Sequence, residues 1–193
     1  MRRSLLLTAT LLLTLVMVGC TPTPAAEPSA APTASSAEPS STPTSTPQPI
    51  ALPDCDTIYS DAVVASLTGE GRSLLGDVSG PGMGGWGTAD DSIEAILSAI
   101  PERVSCTWVL PATESGSTTS IARLDEATRT TLIDAFTAAG YVVDGTLFEI
   151  EVDSEIGSYN ETHILADGFW IGSYFSGGDS ATLTSDALAQ LLP

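Results

Sequence analysis

Hydrophobic and polar positions change their rhythm several times along the chain, and each change marks an element. Leu5 to Val18 is an apolar run behind Arg2 and Arg3, and residues 21 to 52 then hold almost only Thr, Pro, Ala and Ser, with Glu27, Glu38 and Gln48 among them. Periodic segments begin after residue 53. A short helix is expected over Asp61 to Leu67, with Ser60 at its N-cap and Gly69 as its stop. A glycine-rich loop, Ser79 to Gly87, follows. Ser92 to Ile100 reads as a second helix, with Asp91 and Glu94 as a variant capping box and Pro101 as its end.

Two strands come next. Val104, Cys106, Trp108 and Leu110 alternate along Arg103 to Leu110, and Thr118 to Leu124 is the expected antiparallel partner across Glu114-Ser115-Gly116. A helix over Glu126 to Ala139 has Asp125 as cap, Gly140 as stop and Leu132, Ile133, Phe136 and Ala139 as its apolar stripe. The period then returns to two. Asp144-Gly145 and Asp167-Gly168 each sit between strand-like runs, and Asp-Gly is a strong two-residue hairpin signal because both central residues adopt positive φ. Ser185 to Leu192 closes the chain as a helix capped near Thr184. The order αα-ββ-α-ββββ-α predicts an α+β fold, an antiparallel sheet of about five to six strands with helices packed mainly on one face.

The apolar run at the start is about 14 residues long, whereas a membrane span needs about 20. It reads as the h-region of a secretory leader. The ending Val18-Gly19-Cys20 resembles the lipobox of bacterial lipoproteins. That resemblance implies a signal peptide over residues 1–19, a lipidated Cys20, and a protein held on the extracytoplasmic face of the cell membrane by two acyl chains, enough for stable anchoring. An ordinary secreted protein cleaved nearby and an uncleaved anchor are the alternatives. Residues 20–52 then form an extended stalk: nine of the 13 prolines fall between Pro22 and Pro53, and nothing there can bury enough apolar surface to offset its ordering. Residues 53–193 make one globular domain.

Charge narrows the partners. The formal net charge is −18, there is no lysine, and loss of Arg2 and Arg3 with the leader takes the charge to near −20. Nucleic acid is excluded, because neutralising phosphates requires Lys and Arg. A protein or small-molecule partner, cationic in the sharper form of this reading, is compatible with it. The lysine-free, Ala/Thr/Gly-rich composition points to a high-GC bacterial host such as an actinobacterium. With Cys20 lipidated, Cys55 and Cys106 remain, and an oxidising compartment makes them one disulfide. Two cysteines and one histidine do not make a zinc site, and no cofactor motif is present.

Reading the Asp167-Gly168 hairpin pair by pair sets Ala166 opposite Phe169, Leu165 opposite Trp170, His163 opposite Gly172 and Glu161 opposite Tyr174. Ile164, Ala166, Phe169, Ile171 and Phe175 then share one face, and Glu161, His163, Leu165, Trp170 and Tyr174 the other. The second set is a candidate binding patch, unless a helix or the N-terminal segment covers it. Met83 and Trp86 make the glycine loop a candidate binding loop, or else a packed connector. Glu149, Glu151, Asp153 and Glu155 alternate along a strand. Such a ladder diverges, whereas calcium sites converge their oxygens, so a solvated face is expected.

No GxSxG, HExxH, Walker or Rossmann pattern occurs, and no catalytic residue is assigned. The expected function is a surface-anchored, non-enzymatic binding or interaction domain. The alternatives are an envelope hydrolase using His163 or a carboxylate pair, and an accessory subunit of a membrane complex. The layout as a whole resembles the small envelope lipoproteins of actinobacteria. Its carriers are Cys20, the stalk, the opening Asp54-Cys55 with its short helix, and the Cys106-Thr107-Trp108 strand. The resemblance implies a location and brings no activity.

Overall fold

The computed structural model describes residues 50–80, 85–113, 115–154 and 157–193. The leader, Cys20, the stalk up to residue 49, Met83, Glu114 and Glu155 lie outside the described residues. The elements in chain order are α1 (Asp61–Gly69), β1 (Ser73–Asp77), α2 (Asp91–Ser98), β2 (Arg103–Val109), β3 (Gly116–Arg123), α3 (Glu126–Ala139), β4 (Val142–Asp144), β5 (Leu147–Ser154), β6 (Gly157–Ala166), β7 (Phe169–Phe175) and α4 (Ser180–Leu191). The fold is α+β, as the pattern predicts. The strands form one antiparallel sheet in the order β1-β2-β3-β7-β6-β5-β4.

Two expectations are corrected. The sheet has seven strands rather than five or six, because β1 adds to the edge of β2. Its sequence, Ser-Leu-Leu-Gly-Asp, lacks clean alternation: Leu75 is 62% exposed, and the register slips between Leu74 and Gly76. The helices also lie on both faces instead of one. Leu67 of α1 and Leu183, Ala187 and Leu191 of α4 pack with Val104, Cys106, Ile121 and Ile171. Ile93 and Leu97 of α2 and Leu132 and Phe136 of α3 pack with Ala122, Phe148, Leu165 and Trp170. Side chains alternate across the sheet, so a sheet apolar on both sides needs a cover on both sides.

Local signals explain most boundaries. Asp125 caps α3 by accepting from Thr128 N at 2.7 Å, and Gly140 ends it in the left-handed region at φ 86°. The α2 cap is Asp90, one residue before the expected position; its carboxylate accepts from Ser92 N and Ile93 N at 2.9 and 3.1 Å. Ser60 stands at the α1 N-cap, but it makes no side-chain cap bond there. Its N and Oγ instead reach Asp186 of α4, both at 2.7 Å, which ties the two helices of that face together. Gly69 lies inside α1, and the positive φ after that helix falls at Gly71, 81°. Helix α4 begins earlier than expected because Asp179 caps it through Ala181 N. Cys55 is joined to Cys106 with Cα atoms 5.3 Å apart, fastening the segment before α1 to β2. No helix among the described residues is long and apolar enough to cross a membrane.

Candidate functional site

The β6–β7 hairpin sets the geometry. Asp167 and Gly168 take φ 48° and 80°, and the register is the expected one: Ala166 opposite Phe169, Leu165 opposite Trp170, His163 opposite Gly172 and Glu161 opposite Tyr174. Glu161, His163, Leu165, Trp170 and Tyr174 therefore do share the α2/α3 face. They are not an open patch. Trp170 and His163 are fully buried, and Leu165 and Glu161 are each 2% exposed. Phe136 of α3 lies on the His163 ring with centroids 4.6 Å apart, and the Tyr141 and Trp170 rings lie 5.3 and 5.9 Å from it. Of the five, only Tyr174 is half-exposed.

The segment from Gly85 to Asp90 completes the cover. Gly87 crosses β7 directly over Gly172: a Cβ on Gly87 would stand 2.0 Å from the Gly172 carbonyl oxygen. This approach is the reason glycine is needed at residue 87. Its N–H donates to Ser120 Oγ at 3.0 Å, and Ser120 Oγ lies 2.6 Å from Ser105 Oγ. Gly172 is equally constrained, since a Cβ there would meet His163 Nδ1 at 2.3 Å and the Trp170 ring at 2.4 Å.

Glu161 latches this segment to the sheet. Its Oε1 accepts from Ala89 N at 2.7 Å, and its Oε2 accepts from the Tyr141 hydroxyl and lies 3.2 Å from His163 Nε2. Burial raises the Glu161 pKa, but the donors His163, Tyr141 and Ala89 outweigh it and leave it below the ordinary carboxylate value. Burial pushes the His163 pKa down, against the opposing pull of Glu161, and so favours the neutral ring. Because the carboxylate can only accept, Nε2 carries the proton. Nδ1 is then a bare acceptor, without a partner among the described residues, as is the Trp170 indole N–H on the donor side. Burial and the Glu161 charge push the Tyr141 hydroxyl well above its usual range.

A pocket of about 320 Å³ opens beside this latch, lined by Gly85, Trp86, Thr88, Ala89, Glu94, Thr118 and Tyr174. It unites one residue of each candidate set, Trp86 of the loop and Tyr174 of the patch. Trp86 is 7% exposed and carries the Arg103 guanidinium 5.3 Å from its ring centroid. Tyr174 stacks at a tilt on Tyr159, centroids 4.9 Å apart. Thr88, Glu94, Thr118 and the latch partner Tyr141 escape sequence reasoning as site residues; only the glycines beside Trp86 signal that residues 85–90 approach the sheet closely.

The carboxylate ladder is placed elsewhere. Phe148 is buried while Glu151 and Asp153 are exposed and Glu149 is half-buried, so the strand alternates as expected. Glu149 and Glu151 line a second pocket, with Asn160, Glu161 and Asp179. No group of three or more His, Cys, Asp or Glu among the described residues is arranged to hold a metal ion. No family model, no curated protein and no solved structure matches the chain.

Proposed function

We propose that the chain is a lipid-anchored lipoprotein of the extracytoplasmic face of a bacterial membrane, and that its domain binds a ligand without performing chemistry on it. The observation that carries the binding reading is the meeting of Trp86 and Tyr174 in one open pocket. Its volume lies at the lower end of the roughly 300–1,000 Å³ range of small-molecule sites. The Cys55–Cys106 disulfide supports an oxidising compartment, and the leader ending at Cys20 with its stalk supplies the anchor. Burial of the chain's one histidine with its carboxylate partner favours binding over hydrolysis: His163 lies fully buried beneath Phe136 of α3, and Glu161 is 2% exposed and engaged by Ala89 N.

The test uses the full chain in its host envelope. Cys20→Ser is expected to move the protein from the membrane fraction to the soluble one. In-cell crosslinking is expected to give a ligand adduct that Tyr174→Ala loses. Retention of Cys20→Ser on the membrane would refute the anchor. An adduct pattern indifferent to Tyr174→Ala would refute the pocket.

A further inference from the structure

We propose that the Trp86–Tyr174 pocket takes the cationic head of a small organic molecule, of the quaternary ammonium class. The inference rests on the binding reading of that pocket and adds the chemistry of its ligand.

Three observations converge on a cation. The first is aromatic. The face of an aromatic ring is the negative part of its quadrupole and attracts cations, most strongly where water is excluded. Trp86 already carries one in the Arg103 guanidinium, which is itself held by the carbonyls of Ile100 and Ser79. Tyr174 lines the same pocket and stacks on Tyr159, and no guanidinium lies over it among the described residues.

The second observation is the charge behind the wall. Glu94 lines the pocket, and Glu161 stands directly behind Ala89, bound to its N–H at 2.7 Å. The Glu161 carboxylate is 2% exposed, so solvent screens its field only weakly. That field reaches both tyrosines: burial first, and then the Glu161 charge, pushes the Tyr174 and Tyr159 hydroxyls above their ordinary value. Burial of the neighbouring imidazole disfavours the charged form that would oppose it. The two carboxylates favour a cation over a neutral ligand or an anion, against the single opposing charge of the Arg103 guanidinium on Trp86.

The third is the remaining lining. Thr88 and Thr118 offer hydroxyls and no positive group. At about 320 Å³ the space suits a compact head better than a protein element. The chain's charge of −18 concentrates cations at the surface as a whole.

The experiment is calorimetric titration of the full-length protein in detergent, at low ionic strength. The probes are choline and 3,3-dimethylbutan-1-ol, its uncharged isostere. Choline is expected to saturate with a Kd below about 1 mM and the alcohol to bind at least about tenfold more weakly. Tyr174→Leu should weaken choline about tenfold, while Tyr174→Phe, which keeps the ring, should stay within about threefold of the parent. Glu94→Gln should weaken choline about threefold. Absence of choline binding, choline binding indifferent to Tyr174→Leu and Glu94→Gln, or equal binding of the two probes would each overturn the inference. Equal binding that still depends on Tyr174 would remove the cation alone and leave the pocket as a site for uncharged ligands. Loss of the Tyr174-dependent adduct in cells would remove the binding reading beneath it.

Discussion

Burial favours the neutral form of His163, and the directions of its two ring nitrogens add to that preference. Nε2 meets Glu161, and Nδ1 points over Gly172 without an acceptor, so a second proton would be a buried donor with nowhere to go. The consequence is a pH dependence of fixed sign. Below about 6.5 the unfolded chain takes up a proton on this histidine and the folded chain does not, so stability is full above that pH and falls as pH drops toward the folded pKa. The slope is at most about 1.4 kcal/mol per pH unit for one proton. Asp77, Asp90 and Asp125, each held below its ordinary value by hydrogen bonds, add to the loss near pH 4 and below. Urea unfolding between pH 7.5 and 5 measures this. His163→Gln is expected to flatten the slope between 6.5 and 5, and an unchanged slope would contradict the assignment. Gly172→Ala is expected to cost about 1–3 kcal/mol by overpacking against His163 and Trp170. Glu161→Gln should cost a similar amount, because an amide oxygen cannot serve Ala89, Tyr141 and His163 together.

At the scale of elements, what was legible in the sequence followed local chemistry. Asp167-Gly168 dictates its turn through two positive φ angles, and that one turn sets every pair between β6 and β7. The other Asp-Gly did not behave alike. Asp144 pairs with Leu147, which puts the loop at Gly145-Thr146, and positive φ falls on Gly145. Periodicity located α3 and its stripe for the same local reason. What was not legible depends on neighbours far along the chain. β1 exists because β2 offers an edge, and α2 and α3 take the second face because Leu165, Trp170 and Phe148 need cover. The residues of the candidate patch share a face, and α2 and α3 cover most of it, which is the alternative that the pairing leaves open. Tyr174 remains partly open and is not among the residues that pack with α2 and α3. Removing the disulfide with Cys55→Ser and Cys106→Ser together is expected to lower stability by about 2–4 kcal/mol, measured by urea unfolding of the oxidised parent beside the variant. A loss below about 1 kcal/mol would mean that the apolar contacts of residues 50–60 hold that segment without it.

The whole molecule joins an address to a site. On the proposed reading, an anchor at Cys20 would leave the domain without need of a membrane-binding surface of its own, and its strong acidity suits attraction of cations. Intact mass of the mature protein is expected to show a diacylglyceryl group on Cys20, and an unmodified thiol there would contradict the anchor. The domain's sealed His163–Glu161 pair serves as a latch: it holds Ala89, and through it the wall of the pocket that Trp86 and Tyr174 share. The central claim is that this pocket is where the anchored domain meets its ligand. The most direct measurement places a photoreactive benzophenone side chain at residue 174 of the full chain in cells, with a second protein carrying it at the exposed position 75 on β1. After irradiation, intact mass is expected to show a discrete adduct at 174 and none at 75. No adduct at 174, or the same adducts at both positions, would contradict it.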